Sequence, residues 1–94
     1  MAVTFRQLRY FLVLAEELHF GRAAERLNIS QPPLSTSLKQ LEENLGFALL
    51  QRNQRGVQLT PAGRVYAESV RQVLTQLEAA EAAAAQTARK VTGK

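Results

Sequence analysis

Three features of this 94-residue sequence predict a mainly α-helical fold carrying one short β-hairpin and ending in a long helix. Apolar residues recur at helical steps from Phe5 to Leu45 and again from Tyr66 onward. Between those stretches a polar tip containing Gly56 separates two short apolar runs, which is the pattern of a hairpin. The last third is rich in alanine, a residue of high helix propensity with little side chain to bury. Three regions are expected: a compact unit over 1–60, a long helix over 61–90 and a frayed tail over 91–94.

The first helix should begin at Thr4. Thr4 and Gln7 have the spacing of a capping box, in which each side chain satisfies the other residue's free backbone donor. Phe5, Leu8, Phe11, Leu12, Ala15 and Leu18 then follow at helical steps and are expected to form the inner face, with the helix running to about Glu17. Arg6 and Arg9 lie on its other face. A second, short helix is expected from Phe20 to Leu27, with Phe20, Ala23, Ala24 and Leu27 inward. The paired alanines allow another helix to come close. Asn28, Ile29 and Ser30 interrupt the pattern. Ser30 is a good N-cap, and Pro32 and Pro33 fall where a first helical turn has no use for its backbone donors. A third helix should then run from Gln31 to about Leu45, burying Leu34, Leu38, Leu41 and Leu45, with Gly46 ending it in the left-handed region.

The runs Phe47–Leu50 and Val57–Leu59 flank the tip Arg52-Asn53-Gln54-Arg55-Gly56 and read as a two-stranded wing. Thr60 and Pro61 suit the N-cap and first position of a fourth helix, expected to reach about Arg89. Along it Tyr66, Val70, Val73, Leu77, Ala80 and Ala84 alternate by four and three, the spacing of a heptad seam. Such a helix protrudes from a small domain and needs a partner surface, so this seam is expected to dimerise the chain.

Composition narrows the function classes. The 46% hydrophobic content fits a globular fold, and no apolar run approaches the ~20 residues of a membrane helix. The arginine-bearing N-terminus does not resemble a signal peptide, so a cytoplasmic location and no membrane role are expected. The absence of cysteine excludes disulfides, thiolate metal sites and cysteine nucleophiles. His19 is the only histidine and aspartate is absent, so a metal site is not expected and His19 falls to a surface or junction role. No carboxylate pair or glycine-flanked serine marks a catalytic centre. Neither an enzyme nor a cofactor is expected. The net charge of +4 favours a polyanionic partner without deciding for one, because it is spread evenly over both halves of the chain.

Two helices joined by a three-residue turn, the second opening on polar residues, have the geometry of a helix-turn-helix. With the hairpin beside it, the unit reads as a winged helix-turn-helix. In that arrangement the short helix braces the recognition helix, whose N-terminal end enters the major groove of double-stranded DNA. Residues off the leucine face are the candidate base contacts: Gln31, Pro32, Ser35, Thr36 and Lys39. Glutamine pairs bidentately with adenine, and a threonine methyl or a proline ring packs on a thymine methyl. Ser35 can bond to bases or phosphates, and Lys39 to guanine or phosphate. Arg55 at the wing tip suits a narrow minor groove. Candidate backbone contacts are Arg22, Arg26, Pro33 and Arg52. Two of these have structural alternatives: Arg52 can pair with Glu42 or Glu43, and Arg22 with Glu25. A helical interaction module without a DNA role is the competing reading, but it leaves the polar face from Gln31 to Lys39 and the basic wing without a purpose.

The segments Phe5-Arg6-Gln7-Leu8-Arg9-Tyr10-Phe11, Phe20-Gly21-Arg22-Ala23-Ala24-Glu25-Arg26-Leu27 and Ser30-Gln31-Pro32-Pro33-Leu34-Ser35 resemble the N-terminal domain of LysR-type transcriptional regulators. The resemblance continues through Leu41-Glu42-Glu43-Asn44-Leu45-Gly46, Leu49-Leu50-Gln51-Arg52 and Leu59-Thr60-Pro61-Ala62-Gly63, in unbroken order. It implies sequence-specific DNA binding by a homodimer on an inverted repeat, through a linker helix that is usually antiparallel to its twin. It also implies a following effector-binding domain of two α/β lobes that takes a small-molecule inducer, and assembly into tetramers. None of that second domain is in this sequence, which therefore looks like a piece carrying the DNA-binding and dimerisation parts. Family contacts carry over onto Gln31, Pro32, Ser35 and Arg55. Thr36 departs from the arginine or long polar residue that members often have there, which implies a weaker contact or one directed at a thymine methyl.

Overall fold

A computed structural model of the chain describes residues 3–92. The elements follow in the order α1 (Phe5–Glu17), α2 (Phe20–Leu27), α3 (Gln31–Leu45), β1 (Leu50–Asn53), β2 (Gly56–Leu59) and α4 (Pro61–Thr92). The radius of gyration is 16.1 Å, against about 12 Å for a compact chain of this length. The excess comes from α4, whose 32 residues span about 48 Å at 1.5 Å each.

The capping box at the start of α1 forms as its spacing requires: the Gln7 amide N–H donates to Thr4 Oγ1 at 3.2 Å and the Thr4 N–H to Gln7 Oε1 at 3.0 Å. This turns Gln7 inward, and the buried residues of α1 are Gln7, Phe11 and Leu14. The inner face is therefore rotated from the expected one. Phe5 and Leu18 stay exposed, at 48% and 37%. Leu18 leaves the core because it is the C-cap itself, left-handed at φ 51°, where it turns the chain into α2. The stripe of α2 and the leucines of α3 lie as expected, with Ala23, Ala24, Leu34 and Leu41 fully buried.

The core has two lobes. Leu14, Ala23, Ala24, Leu34 and Leu50 form one, under α2 and the wing; Phe11, Leu41, Leu49 and Ala67 form the other, between α1, α3 and α4. The wing is antiparallel, with Leu50 opposite Leu59 and Asn53 opposite Gly56. It begins later than expected: Phe47 is outside the strand and 46% exposed, whereas Arg52 and Asn53 are paired within it. One face packs Leu50, Val57 and Leu59 on the core and the other is solvated, but with strands of four residues each the alternation is too short to mark its limits. Helix α4 continues through Val91 and Thr92, past the expected start of a frayed tail, and positions 93–94 of that tail lie outside the described residues.

Candidate nucleic-acid interface

The junction before α2 depends on His19. Its Nδ1 accepts the Arg22 backbone N–H at 3.0 Å, capping the helix. Only an imidazole with a lone pair on Nδ1 can do this, so the neutral ring carries its proton on Nε2. Asn28 closes α2 in the left-handed region, φ 60°. The turn it begins is held by Asn28 N–H to Glu25 O and Ile29 N–H to Ala24 O, both 3.0 Å. These bonds fix the angle at which α3 leaves α2.

Ser30 occupies the N-cap of α3 but its side chain makes no capping bond. The reason is in the sequence: an N-cap oxygen accepts from the second or third helical N–H, and those residues here are Pro32 and Pro33. The start of the recognition helix therefore presents no free amide at those two positions. What it presents is side chains. Gln31, Pro32, Pro33, Thr36 and Lys39 are all exposed, with Ser35 half-buried among them. A methyl group on Gly21 would lie 3.0 Å from His19 Cε1 and 3.5 Å from Gln31 Nε2, so the histidine ring and the Gln31 amide flank this glycine.

On one side of this face, Phe20, Ser35, Lys39, Glu42 and Arg52 line a groove between α3 and the wing. The Arg52 guanidinium carbon sits 4.4 Å from the centroid of the Phe20 ring. That stacking, rather than an ion pair with Glu42 or Glu43, is what orients Arg52. Glu42 is engaged elsewhere. Its Oε2 accepts the backbone N–H groups of Leu49 and Leu50 at 2.7 and 3.2 Å, tying the base of the wing to the recognition helix. The sequence offered Glu42 only as a partner for Arg52 and missed this role, although a carboxylate in the last turn of a helix opposes the helix dipole and so signals a use elsewhere.

At the tip, the Arg55 N–H donates to Asn53 Oδ1 at 2.9 Å, and Gly56 takes a φ of 104° while Gln54 and Arg55 keep negative values. Arg55 is exposed, and neither it nor Lys39 has a carboxylate partner among the described residues. Arg22 and Arg26 are placed differently. Arg26 bonds Glu16 and Glu17 at 2.9 and 3.2 Å, and these hydrogen bonds, Glu16 first, raise its pKa above the usual arginine value. Arg22 lies 3.5 Å from Glu17 and makes no pair with Glu25, so both arginines reach back to α1. Arg71 of α4 joins the same web through Glu16 at 3.9 Å.

The expected dimerisation seam divides. Val70 is 3% exposed and packs into the chain's own domain together with Gly63, Ala67 and Leu74, so it is not available to a partner. Tyr66 packs its ring against Phe11, tilted at 46° with centroids 5.7 Å apart, and burial pushes its phenol pKa up. Leu77 is half-buried, whereas Val73, Ala80 and Ala84 face outward. Two residues outside the expected seam, Phe47 and Val65, add exposed apolar surface beside Pro61, Ala62 and Tyr66. The four-three spacing does mark a helix, but the docked domain uses one of its registers for itself.

Known proteins bear the same features. Residues 5–64 match the family of bacterial regulatory helix-turn-helix proteins called the lysR family. An uncharacterized HTH-type transcriptional regulator of Escherichia coli K12, YnfL, is 52% identical over 84 residues, which is 89% of this chain and 28% of that protein. The HTH-type transcriptional regulator AlsR of Bacillus subtilis strain 168 is 50% identical over 94% of this chain and 29% of its own length. The chain thus spans less than a third of the length of these two relatives, and both are regulators, not enzymes. Among solved structures, the CbnR DNA-binding domain in complex with DNA is similar with a TM-score of 0.86 and 39% identity over 93% of this chain and all of that one. The BenM DNA-binding domain on catB site 1 DNA is similar at 0.89 and 37% identity, over 92% of this chain and 97% of that one. No helix among the described residues is long and apolar enough to cross a membrane.

Proposed function

The chain belongs to the lysR family of bacterial regulatory helix-turn-helix proteins, and on that premise we propose that it is the sequence-specific DNA-binding part of a transcriptional regulator, acting in the cytoplasm. The observation that carries this reading is the exposed polar face of α3 from Gln31 to Lys39, braced from behind by α2 and flanked by the basic wing tip. Residues 1–60 form the reading unit and 61–90 the linker. The fold of DNA-binding domains bound to duplex DNA supports the docking mode, with α3 in the major groove.

Gln31 reads adenine, Pro32 and Thr36 offer apolar contact to a thymine methyl, and Ser35 and Lys39 reach bases or phosphates farther along the groove. Arg55 enters the minor groove beside it. Arg22, Arg52 and Pro33 meet the backbone, whereas Arg26 is left with a bracing role because two carboxylates hold it. Two copies joined through α4 read an inverted repeat. In a longer chain, a following domain takes the inducer and a tetramer forms.

Selection of duplexes from a random pool identifies the preferred site. Replacing Gln31 by Ala is then expected to shrink the preference for that site over a scrambled duplex by roughly fivefold to a hundredfold. An unchanged ratio, with binding retained, removes Gln31 as a reader.

A further inference from the structure

The reading face of α3 is bordered on its other side by α1. There Arg6, Gln7 and Tyr10 share a polar groove with Pro33, Thr36 and Gln40 of α3. The groove on the wing side takes Ser35, Leu38, Lys39 and Glu42 from α3. At 3.6 residues per turn those two sets lie on nearly opposite sides of the helix, and the exposed face carrying Pro32 and Thr36 lies between them. A duplex seated on that face therefore has one phosphate strand beside the wing and the other beside α1. On the wing side Lys39 and Arg52 stand ready as cations. On the α1 side the corresponding cation is Arg6.

Arg6 has no structural use that explains it. It is exposed and has no carboxylate partner among the described residues. It also sits in the first turn of α1, where the helix dipole disfavours positive charge and no acidic residue offsets it. Arg26 and Arg71, by contrast, are hydrogen-bonded to Glu16, Glu17 and Glu68. A cation that opposes its own helix, lacks an internal partner and borders a reading face is placed for an external anion.

We infer that Arg6 is a DNA-backbone contact, holding a phosphate on the side of the recognition helix away from the wing. The duplex is then gripped from both edges of α3, by Arg6 on one and by Lys39 and Arg52 on the other. This rests on the proposed docking of α3 and adds a contact to it. Arginine suits the position because its planar fork meets two phosphate oxygens at once.

Arg9 supplies a matched control. It lies one turn farther along the same helix but shares its groove with Leu74, Thr75 and Glu78 of α4, away from the reading face. The 94-residue chain and its Arg6→Gln, Arg6→Lys and Arg9→Gln variants are titrated with the pool-selected duplex and with a scrambled one across a salt series. Arg6→Gln is expected to weaken both duplexes alike, by roughly threefold to tenfold, and to lower the slope of log K against log salt by about one per bound protomer. Arg6→Lys should keep most of the slope, and Arg9→Gln should match the parent. A slope unchanged in Arg6→Gln while the parent binds overturns the contact and leaves the docking standing. An equal drop for Arg9→Gln also overturns it, since net charge alone would then account for the effect. Failure of the parent chain to bind any duplex overturns both.

Discussion

Gly63 shows how far one residue's surroundings outweigh its propensity. Inside a helix, alanine is better than glycine by up to about 1 kcal/mol, so Gly63→Ala looks stabilising from the sequence. Here a methyl group at Gly63 would overlap the backbone carbonyl of Leu49, which cannot swing aside like a side chain. The same short stretch is held by Thr60, whose Oγ1 donates to Ala48 O at 2.8 Å and accepts from the Gly63 N–H at 2.9 Å. The first turn of α4 is thus seated directly on the chain that leads into the wing. Gly63→Ala is expected to destabilise by about 1–3 kcal/mol net of its propensity gain, seen as a lower midpoint in thermal unfolding. An unchanged or raised midpoint would mean that α4 can lift from Leu49 without loss.

At the scale of elements, the wing is useful only if its angle to α3 is held. Pairing within the hairpin covers eight residues and cannot set that angle. The Glu42 carboxylate does, by taking two backbone donors at the entrance to β1. Hydrogen bonds to a charged acceptor contribute about 1.5–3 kcal/mol, enough to matter in a domain this small. Glu42→Ala should therefore lower DNA affinity by weakening the contact at Arg55, although Glu42 itself faces the protein. A double-mutant cycle reads this directly: the effect of Arg55→Ala should shrink when Glu42 is already alanine, and Glu42→Gln, which keeps an oxygen acceptor, should restore most of it. Additive losses would assign Glu42 to stability alone.

For the whole molecule, α4 has two tasks that compete for one helix. Its first four turns press Gly63, Ala67, Val70 and Leu74 onto the domain, while its outer side and its alanine-rich end stand free. The dimer proposed above would then use the outer side, where Val65 and Val73 are 70% and 44% exposed. Val65→Glu is expected to shift the chain towards monomer in sedimentation equilibrium, raising the dissociation constant about tenfold or more, with little change in melting at matched monomer concentration. If the monomer–dimer balance is the same as for the parent, association runs through another surface. Val70→Glu should instead impair folding, because that side chain is inside the domain.

The sequence alone determined the order of elements, the helix boundaries to within a few residues, the cap at Thr4, the left-handed Gly46 and the polar face of α3. Each of those depends on residues close together in the chain, where propensity, capping and periodicity act. Only the tertiary structure decided the rest. Stacking on Phe20 places Arg52, and Glu16 and Glu17 take Arg26, because these partners come from different helices or from the wing. The wing sends only Leu50 fully into the core, with Val57 and Leu59 half-buried, and so few apolar positions could not fix where the strands start. In α4 the periodicity marked a helix correctly, yet it could not tell which of two interleaved stripes would face the domain and which would remain for a partner. That choice is made by close packing, through a glycine that lets the helix sit on the carbonyl of Leu49.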